Sequence, residues 1–504
     1  MNEYWKHFKS GTDIRGVAME GVAGQEVDLT DEVIEKIAHA FLLWLSEKSG
    51  KAPEELVIAV GRDSRLSGPR IMEDLQKVFV FSGAKVLSCG LASTPAMFMT
   101  TLRLGADGAV QITASHHPWN RNGLKFFLPS GGLESENITE LLTLCEAGKT
   151  AAAKAGGKVE CVDFMETYAA ELRQMIIKGV QAGEKPLAGF HVVVDAGNGA
   201  GGFYVSRVLE PLGADVAGSQ FLDPDGHFPN HIPNPENPDA MASACRAVKA
   251  AKADLGIIFD TDVDRAGCVD STGREINRNR LVALASVIAL EGNEGGTIVT
   301  DSITSAGLKV FLEKDLGAKH LRFKRGYKNV INKSKELNEQ GINSPLAIET
   351  SGHAALRENY FLDDGAYLAT KILIKAAVLN RQGRKLDELI ATLAEPAESV
   401  ELRFAITEKD FRAAGEALLS DLEKVGKEKG WQVADDSFEG VRIAFPKEAG
   451  NGWFLLRLSV HDPVMPLNIE SDEKGGCRTI AKALLGFLQG RSELELAPLT
   501  EFLK

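Results

Sequence analysis

Three aspartates at alternate positions, Asp260, Asp262 and Asp264, follow the apolar run 255–259 (Leu-Gly-Ile-Ile-Phe) and precede Arg265. Such a run buries itself as a strand, which leaves the carboxylates at its C-terminal end, where open α/β sheets place ligands. Three carboxylates this close repel one another unless a divalent cation sits among them, and hard oxygen donors suit Mg²⁺. A calcium loop also begins Asp-x-Asp-x-Asp, but it needs Gly at the sixth position and Glu at the twelfth. Here those positions hold Arg265 and Ser271, and another apolar stretch follows. A solvated acidic turn is the competing reading, because Asp is common in turns.

The elements that must position these groups recur three times. An apolar segment with a polar exit appears at 56–65, ending Gly-Arg-Asp-Ser-Arg65, at 190–199, ending Asp-Ala-Gly-Asn-Gly199, and at 297–304, ending Asp-Ser-Ile-Thr304. About a helix later each copy reaches Gly-Ala, at Gly83, Gly213 and Gly317, and then a third apolar segment at 108–112, 255–259 or 346–348. Strands alternating with helix-length spacers mean βαβ units and mixed or parallel sheets. The loops after the third segments hold the chemistry: Thr-Ala-Ser-His-His-Pro118, the aspartate loop, and Glu-Thr-Ser-Gly-His353. Equivalent positions in repeated domains can converge on one cleft.

The spacers support this layout. Val33, Ile34, Ile37, Phe41, Leu42 and Leu45 recur at helical spacing within 31–48, residues 367–379 are similarly apolar, and Ala/Gly-rich 151–158 reads as a surface connection. After about residue 398 the repeat stops. An alternating stretch at 399–404, a helical one at 411–424 and strand-like 441–445 and 453–458 predict a different, α+β terminal domain. The fold class is thus α/β, with three homologous α/β domains and an α+β C-terminal domain.

A chain of 504 residues is too long for one core. Its formal charge of −13 argues against nucleic-acid and anionic-membrane partners, which need a basic surface, while a small anion can still meet local Arg and Lys. Six scattered cysteines without a Cys-x-x-Cys pair read as reduced thiols of a cytoplasmic protein. No stretch has the length and apolarity of a signal core or a membrane span.

Thr113-Ala-Ser-His-His-Pro118 with Asn122-Gly-Leu-Lys125, the Asp-Thr-Asp-Val-Asp-Arg265 loop, Glu349-Thr-Ser-Gly-His353 and Arg457-Leu-Ser-Val-His-Asp-Pro463 follow one another in the order and spacing of the α-D-phosphohexomutases, and Ser10-Gly-Thr-Asp-Ile-Arg-Gly16 also matches. The chain resembles that family over essentially its whole length. The resemblance implies that Ser115 is a phosphoserine nucleophile and that Mg²⁺ is held by Asp260, Asp262, Asp264 and a Ser115 phosphoryl oxygen. It places His116, Lys125, Arg15 and Arg265 about the transferred phosphate. Glu349 and Ser351 would read adjacent sugar hydroxyls, with His353 as proton shuttle or substrate contact. Arg457, Ser459 and His461 would cradle the phosphate that is not being transferred. Read alone, Ser115 is also a turn residue, His116 a structural histidine, and Lys125 and Arg15 separate surface cations.

The family pattern implies four domains: a phosphoserine-loop domain at 1–180, a metal-binding domain at 181–281, a sugar-binding domain at 282–398 and a phosphate-binding domain at 399–504. Expected is a phosphomannomutase or phosphoglucomutase exchanging hexose 1- and 6-phosphates through a hexose 1,6-bisphosphate. A phosphoglucosamine mutase, a non-catalytic sugar-phosphate-binding regulator and a phosphatase are the alternatives. Departures from the pattern are His117 for the usual Asn, Val460-His461-Asp462 in the phosphate loop, Pro466 where many members carry a second Arg, and Gly326-Tyr327 where some have Gly-His.

Overall fold

The computed structural model describes residues 1–459 and 462–504. Two compact units divide the chain: Met1–Asn277 with Ser351–Ala354 and Leu362–Glu388, and Arg278–Thr350 with Ala355–Phe361 and Leu389–Lys504.

The first unit holds two sheets. In the larger, Val57–Arg62 runs parallel to Lys85–Leu91 and to Gly108–Ile112, and Arg121–Leu128 turns back antiparallel between Gly108–Ile112 and Asp13–Val17. All five residues of Gly108–Ile112 are buried, as a central strand covered on both faces requires. The helix Asp31–Ser49 covers one face. Its N-cap Thr30 accepts from Val33 N, its C-cap Gly50 takes the left-handed conformation at φ 70°, and Val33, Ile34, Ile37, Phe41, Leu42 and Leu45 are all buried. In the second sheet Leu255–Phe259 lies parallel to Val192–Asp195 and antiparallel to Ala266–Asp270. The expected strand near Gly213 is reduced to two isolated parallel bridges, His191 to Asp215 and Asp195 to Gln220. Asp215 Oδ1 accepts from Ala217 N at 3.0 Å, a local turn that interrupts the pairing until Gln220.

The second unit repeats the motif with Thr297–Thr300 parallel to both Lys319–Arg322 and Leu346–Ile348. The terminal sheet is antiparallel throughout, ordered Glu398–Ala405, Val464–Ser471, Gly452–Leu456, Val441–Phe445, Gln432–Val433, with helices Phe411–Glu428 and Gly476–Leu488. Its core is Phe404, Leu418, Leu422, Ile443, Phe454, Leu467 and Ile480 among others. Among the described residues no helix is long and apolar enough to cross a membrane.

Candidate active site

In the first unit the serine loop leaves the buried strand Gly108–Ile112. Thr113 Oγ1 donates to Asp63 Oδ2 at 2.7 Å and accepts from Ser115 N at 2.9 Å. Ser115 has φ 50°, a conformation that costs a non-glycine residue about 1–3 kcal/mol and persists only where the surroundings enforce it. The enforcing group is Arg65, which is fully buried. Its guanidinium donates to the carbonyl oxygens of Ser115 (2.5 Å), His117 (2.7 Å), Pro118 (2.8 Å) and Arg121 (2.9 Å), while Nε lies 3.3 Å from Asp63 Oδ2. The planar fork of arginine suits several fixed acceptors at once.

Ser115 Oγ, 4% exposed at the residue level, donates to Asp260 Oδ2 at 3.3 Å and accepts from Arg265 Nη2 at 3.0 Å. Arg265 Nη2 also lies 2.7 Å from His116 Nδ1. Burial of the imidazole and then the Arg265 charge hold His116 below its ordinary pKa; since the residue as a whole is exposed, the Arg265 contact is the firmer cause. A neutral His116 accepts from Arg265 through Nδ1. Arg15, on the strand Asp13–Val17, donates to Asp13 Oδ2 at 2.8 Å, and its buried Nε has no hydrogen-bond partner among the described residues.

The aspartate loop turns at Val263, a β-branched residue at φ 66°. Asp260 Oδ2 accepts from Arg265 Nε and Nη2 at 3.2 and 3.1 Å, and Lys125 Nζ reaches Asp262 Oδ2 at 3.0 Å and Asp264 Oδ2 at 2.5 Å. Thr94 also donates to Asp262, through Oγ1 at 2.5 Å. Burial, then the Asp264 and Asp262 charges, push Asp260 well above its ordinary pKa. For Asp264 burial acts upward too, but Lys125 and His353 outweigh it and hold the group well below. His353 Nδ1 sits 2.5 Å from Asp363 Oδ2, and that carboxylate together with Asp264 raises the imidazole's pKa against the effect of burial.

These three aspartates fit a divalent cation. One oxygen from each lies within 4.8 Å of the others, all three are buried, and Asp262 Oδ1 and Asp264 Oδ1 have no hydrogen-bond partner among the described residues. Unpartnered buried carboxylate oxygens are costly without a ligand.

The second unit carries a separate polar set. Glu349 Oε1 accepts from Gly326 N at 2.6 Å. Arg457, 8% exposed, has its Nε 3.7 Å from Glu439 Oε1, and Glu439 also accepts from Ser302 Oγ and from Arg325 N. Burial depresses the Arg457 pKa, Glu439 opposes this, and Arg325 is close enough to add to the depression. Burial and then the Glu349 charge push Asp301 up to about 7. Ser459 Oγ accepts from Asp462 N at 3.3 Å, and Ser459 N donates to Val464 O. His461 and Val460 lie outside the described residues.

The structure therefore gathers Ser115, His116, Lys125, Arg15, Arg265, the three aspartates, Ser351 and His353 in one unit, and Glu349, Arg457 and Ser459 in the other. Sequence reasoning missed Asp63, Arg65, Thr94, Asp363, Arg325 and Glu439. The polar exit Gly-Arg-Asp-Ser-Arg65 was the available signal for the first two, since it follows a strand next to the one that ends at the serine loop.

Comparison with known proteins agrees with this chemistry. The family models for phosphoglucomutase/phosphomannomutase alpha/beta/alpha domains I, II and III match residues 9–150, 166–273 and 277–396. A phosphomannomutase/phosphoglucomutase of Pseudomonas putida is 32% identical over 446 residues, covering 87% of this chain and 90% of that protein. A Neisseria gonorrhoeae phosphoglucomutase is 29% identical over 477 residues, covering 94% and 96%. The crystal structure of a phosphoglucomutase/phosphomannomutase family protein from Burkholderia thailandensis superposes with TM-score 0.76 at 27% identity, covering 97% of this chain and 99% of that one. With a matching model for each of its three α/β domains and relatives aligned over most of its length, the chain belongs to the phosphoglucomutase/phosphomannomutase family of α-D-phosphohexomutases and is a hexose-phosphate mutase, an isomerase acting by phosphoryl transfer.

Proposed function

We propose that this mutase interconverts the 1- and 6-phosphates of mannose, glucose or both through a phosphorylated Ser115 and a hexose 1,6-bisphosphate. One observation carries the reading: Ser115 Oγ is held in a strained loop 3.0 Å from Arg265 Nη2 and 3.3 Å from Asp260 Oδ2, in a carboxylate cluster whose Asp262 Oδ1 and Asp264 Oδ1 have no hydrogen-bond partner among the described residues. In the first half-reaction the P–Oγ bond of phosphoserine breaks as a bond forms from phosphorus to a sugar hydroxyl oxygen. The hydroxyl proton needs an acceptor, and we assign that shuttle to His353, oriented by Asp363. Charge arriving on Ser115 Oγ is met by Arg265, whose guanidinium stays protonated because Asp260 and Asp264 outweigh burial. Lys125 and Arg15 supply further positive charge for the transferred phosphoryl oxygens. Asp260, Asp262 and Asp264 would hold Mg²⁺ with a phosphoserine oxygen, where it would neutralise charge on the phosphoryl group.

The bisphosphate then turns over and its other phosphate returns to Ser115. A cradle must hold the idle phosphate in both half-reactions, and we assign it to Arg457, with Ser459 and His461. We assign the second cation of the cradle, in place of an arginine at Pro466, to Arg325, whose backbone N donates to Glu439, the carboxylate beside Arg457. Glu349 and Ser351 read the sugar hydroxyls. We divide these roles among segments 1–180, 181–281, 282–398 and 399–504, in a cytoplasmic enzyme whose six thiols stay reduced. Coupled assays on mannose, glucose and glucosamine phosphates, each with its 1,6-bisphosphate, test the reading. Turnover confined to glucosamine phosphates, or none at all, refutes it.

A further inference from the structure

Within the second unit, apart from the Arg457 set, lies a cavity of about 430 Å³. Its walls come from the segment 305–314, from Arg322 at the end of its strand, and from the terminal sheet through Arg442, Phe445, Trp453 and Glu470. That volume suits a small metabolite better than a few waters.

Its charges are unusual. Arg442 is 8% exposed; it donates to the carbonyls of Ser302 (2.9 Å) and Thr304 (3.1 Å) and stacks over Trp453 with Cζ 3.5 Å from the ring centroid. Arg322, half-buried, donates to Thr304 Oγ1 (3.0 Å) and the Ser305 carbonyl (2.8 Å). Neither guanidinium has an ion-pair partner among the described residues, although buried charges are ordinarily paired. The acids on the wall do not meet them: Glu313 and Asp436 lie near Lys309, at 3.7 and 3.6 Å, and Glu470 accepts from Trp453 Nε1. Burial lowers the pKa of both arginines and the Arg322 charge lowers Arg442 further, while the charges of Asp436 and Glu470 act in the opposite direction on both. Beside this cationic pair the lining combines an apolar wall, with Val310, Phe445 and Trp453, and charged groups that include Lys309, Lys314 and Asp472.

We propose that this cavity is a second ligand site, separate from the catalytic residues, that binds a small phosphate ester with its phosphate on Arg322 and Arg442 and its organic body against Trp453 and Phe445. Arginine meets phosphate with paired hydrogen bonds, and two guanidiniums on different strands favour a phosphate over a single carboxylate. The ligand reaches the sugar-phosphate machinery through the 302–304 backbone: Arg442 holds the Ser302 carbonyl, and Ser302 Oγ donates to Glu439 beside Arg457.

The test is a crystal of the full chain grown with sodium tungstate, whose tungsten scatters anomalously, followed by calorimetric titration with inorganic phosphate and with phenyl phosphate. The expected tungsten peak lies between Arg322 and Arg442; tungsten at other sites only overturns the proposal. Phenyl phosphate should bind more tightly than inorganic phosphate, and equal affinities would reject an ester site. Val310 lies on the cavity wall and is 47% exposed, so V310E adds a repelling carboxylate with little risk to the fold. V310E and R322M should each weaken phenyl phosphate about tenfold or more, while R457A retains this binding. Wild-type affinity in V310E, or loss in R457A alone, contradicts the proposal.

Discussion

Replacing Arg65 by lysine tests how the serine loop is held. The arginine makes four hydrogen bonds to carbonyls of residues 115–121 and closes on Asp63. An ammonium has three donors on one atom, so it cannot serve four separated carbonyls and Asp63 together. Loss of two charge-assisted bonds, at about 1.5–3 kcal/mol each, gives a destabilisation of about 3–6 kcal/mol. Because Ser115 stays at φ 50° only under that constraint, the loop relaxes in R65K. A displacement of about 1 Å at a reacting atom costs about 100-fold in rate. R65K should therefore show kcat reduced about 100-fold with KM for the sugar phosphate changed little, since Arg457 and Glu349 belong to the other unit. Steady-state kinetics, a thermal melt and intact mass separate these effects. A kcat within about twofold of wild type in a folded R65K refutes the clamp.

Asp262→Asn should lower kcat at least about 100-fold without unfolding the chain, because it removes one of three mutually repelling carboxylates; near-normal turnover in chelator-treated buffer would count against the metal assignment. Arg457→Ala should raise KM, lower kcat and increase dependence on added bisphosphate, and Arg457→Lys should recover only part, as measured by kinetics with and without bisphosphate. Glu470 is 7% exposed and burial pushes its carboxyl up to about 7 from an ordinary 4.5, so the folded state binds this proton more tightly than the unfolded one. The associated stability is complete below about pH 4.5 and is lost as pH rises through about 7, a change of about 3 kcal/mol. Thermal melts should therefore fall less between about pH 5 and pH 8 in Glu470→Gln than in wild type; parallel profiles would contradict this.

Much of this molecule is legible in its sequence because its strands are continuous apolar runs whose polar exits mark the sheet ends. Leu255–Phe259 and Gly108–Ile112 lead directly into the aspartate and serine loops. The break between the bridges at Asp215 and Gln220 was not legible, because a side-chain turn rather than hydropathy interrupts the pairing there. Arg65 escaped for a different reason. Its role lies in carbonyl oxygens some fifty residues away, and backbone acceptors leave no trace in residue type. Asp363 and Glu439 likewise show their significance only when the chain brings them to His353 and Arg457.

In the proposed mechanism Ser115 carries the phosphoryl group that is exchanged. Phosphopeptide mapping of the enzyme, before and after a single turnover with glucose 1-phosphate, tests it most directly. Phosphate is expected on Ser115 in the resting enzyme, with its stoichiometric appearance in the sugar bisphosphate and no turnover in Ser115→Ala. Phosphate mapped to another residue, with Ser115→Ala fully active, would contradict it.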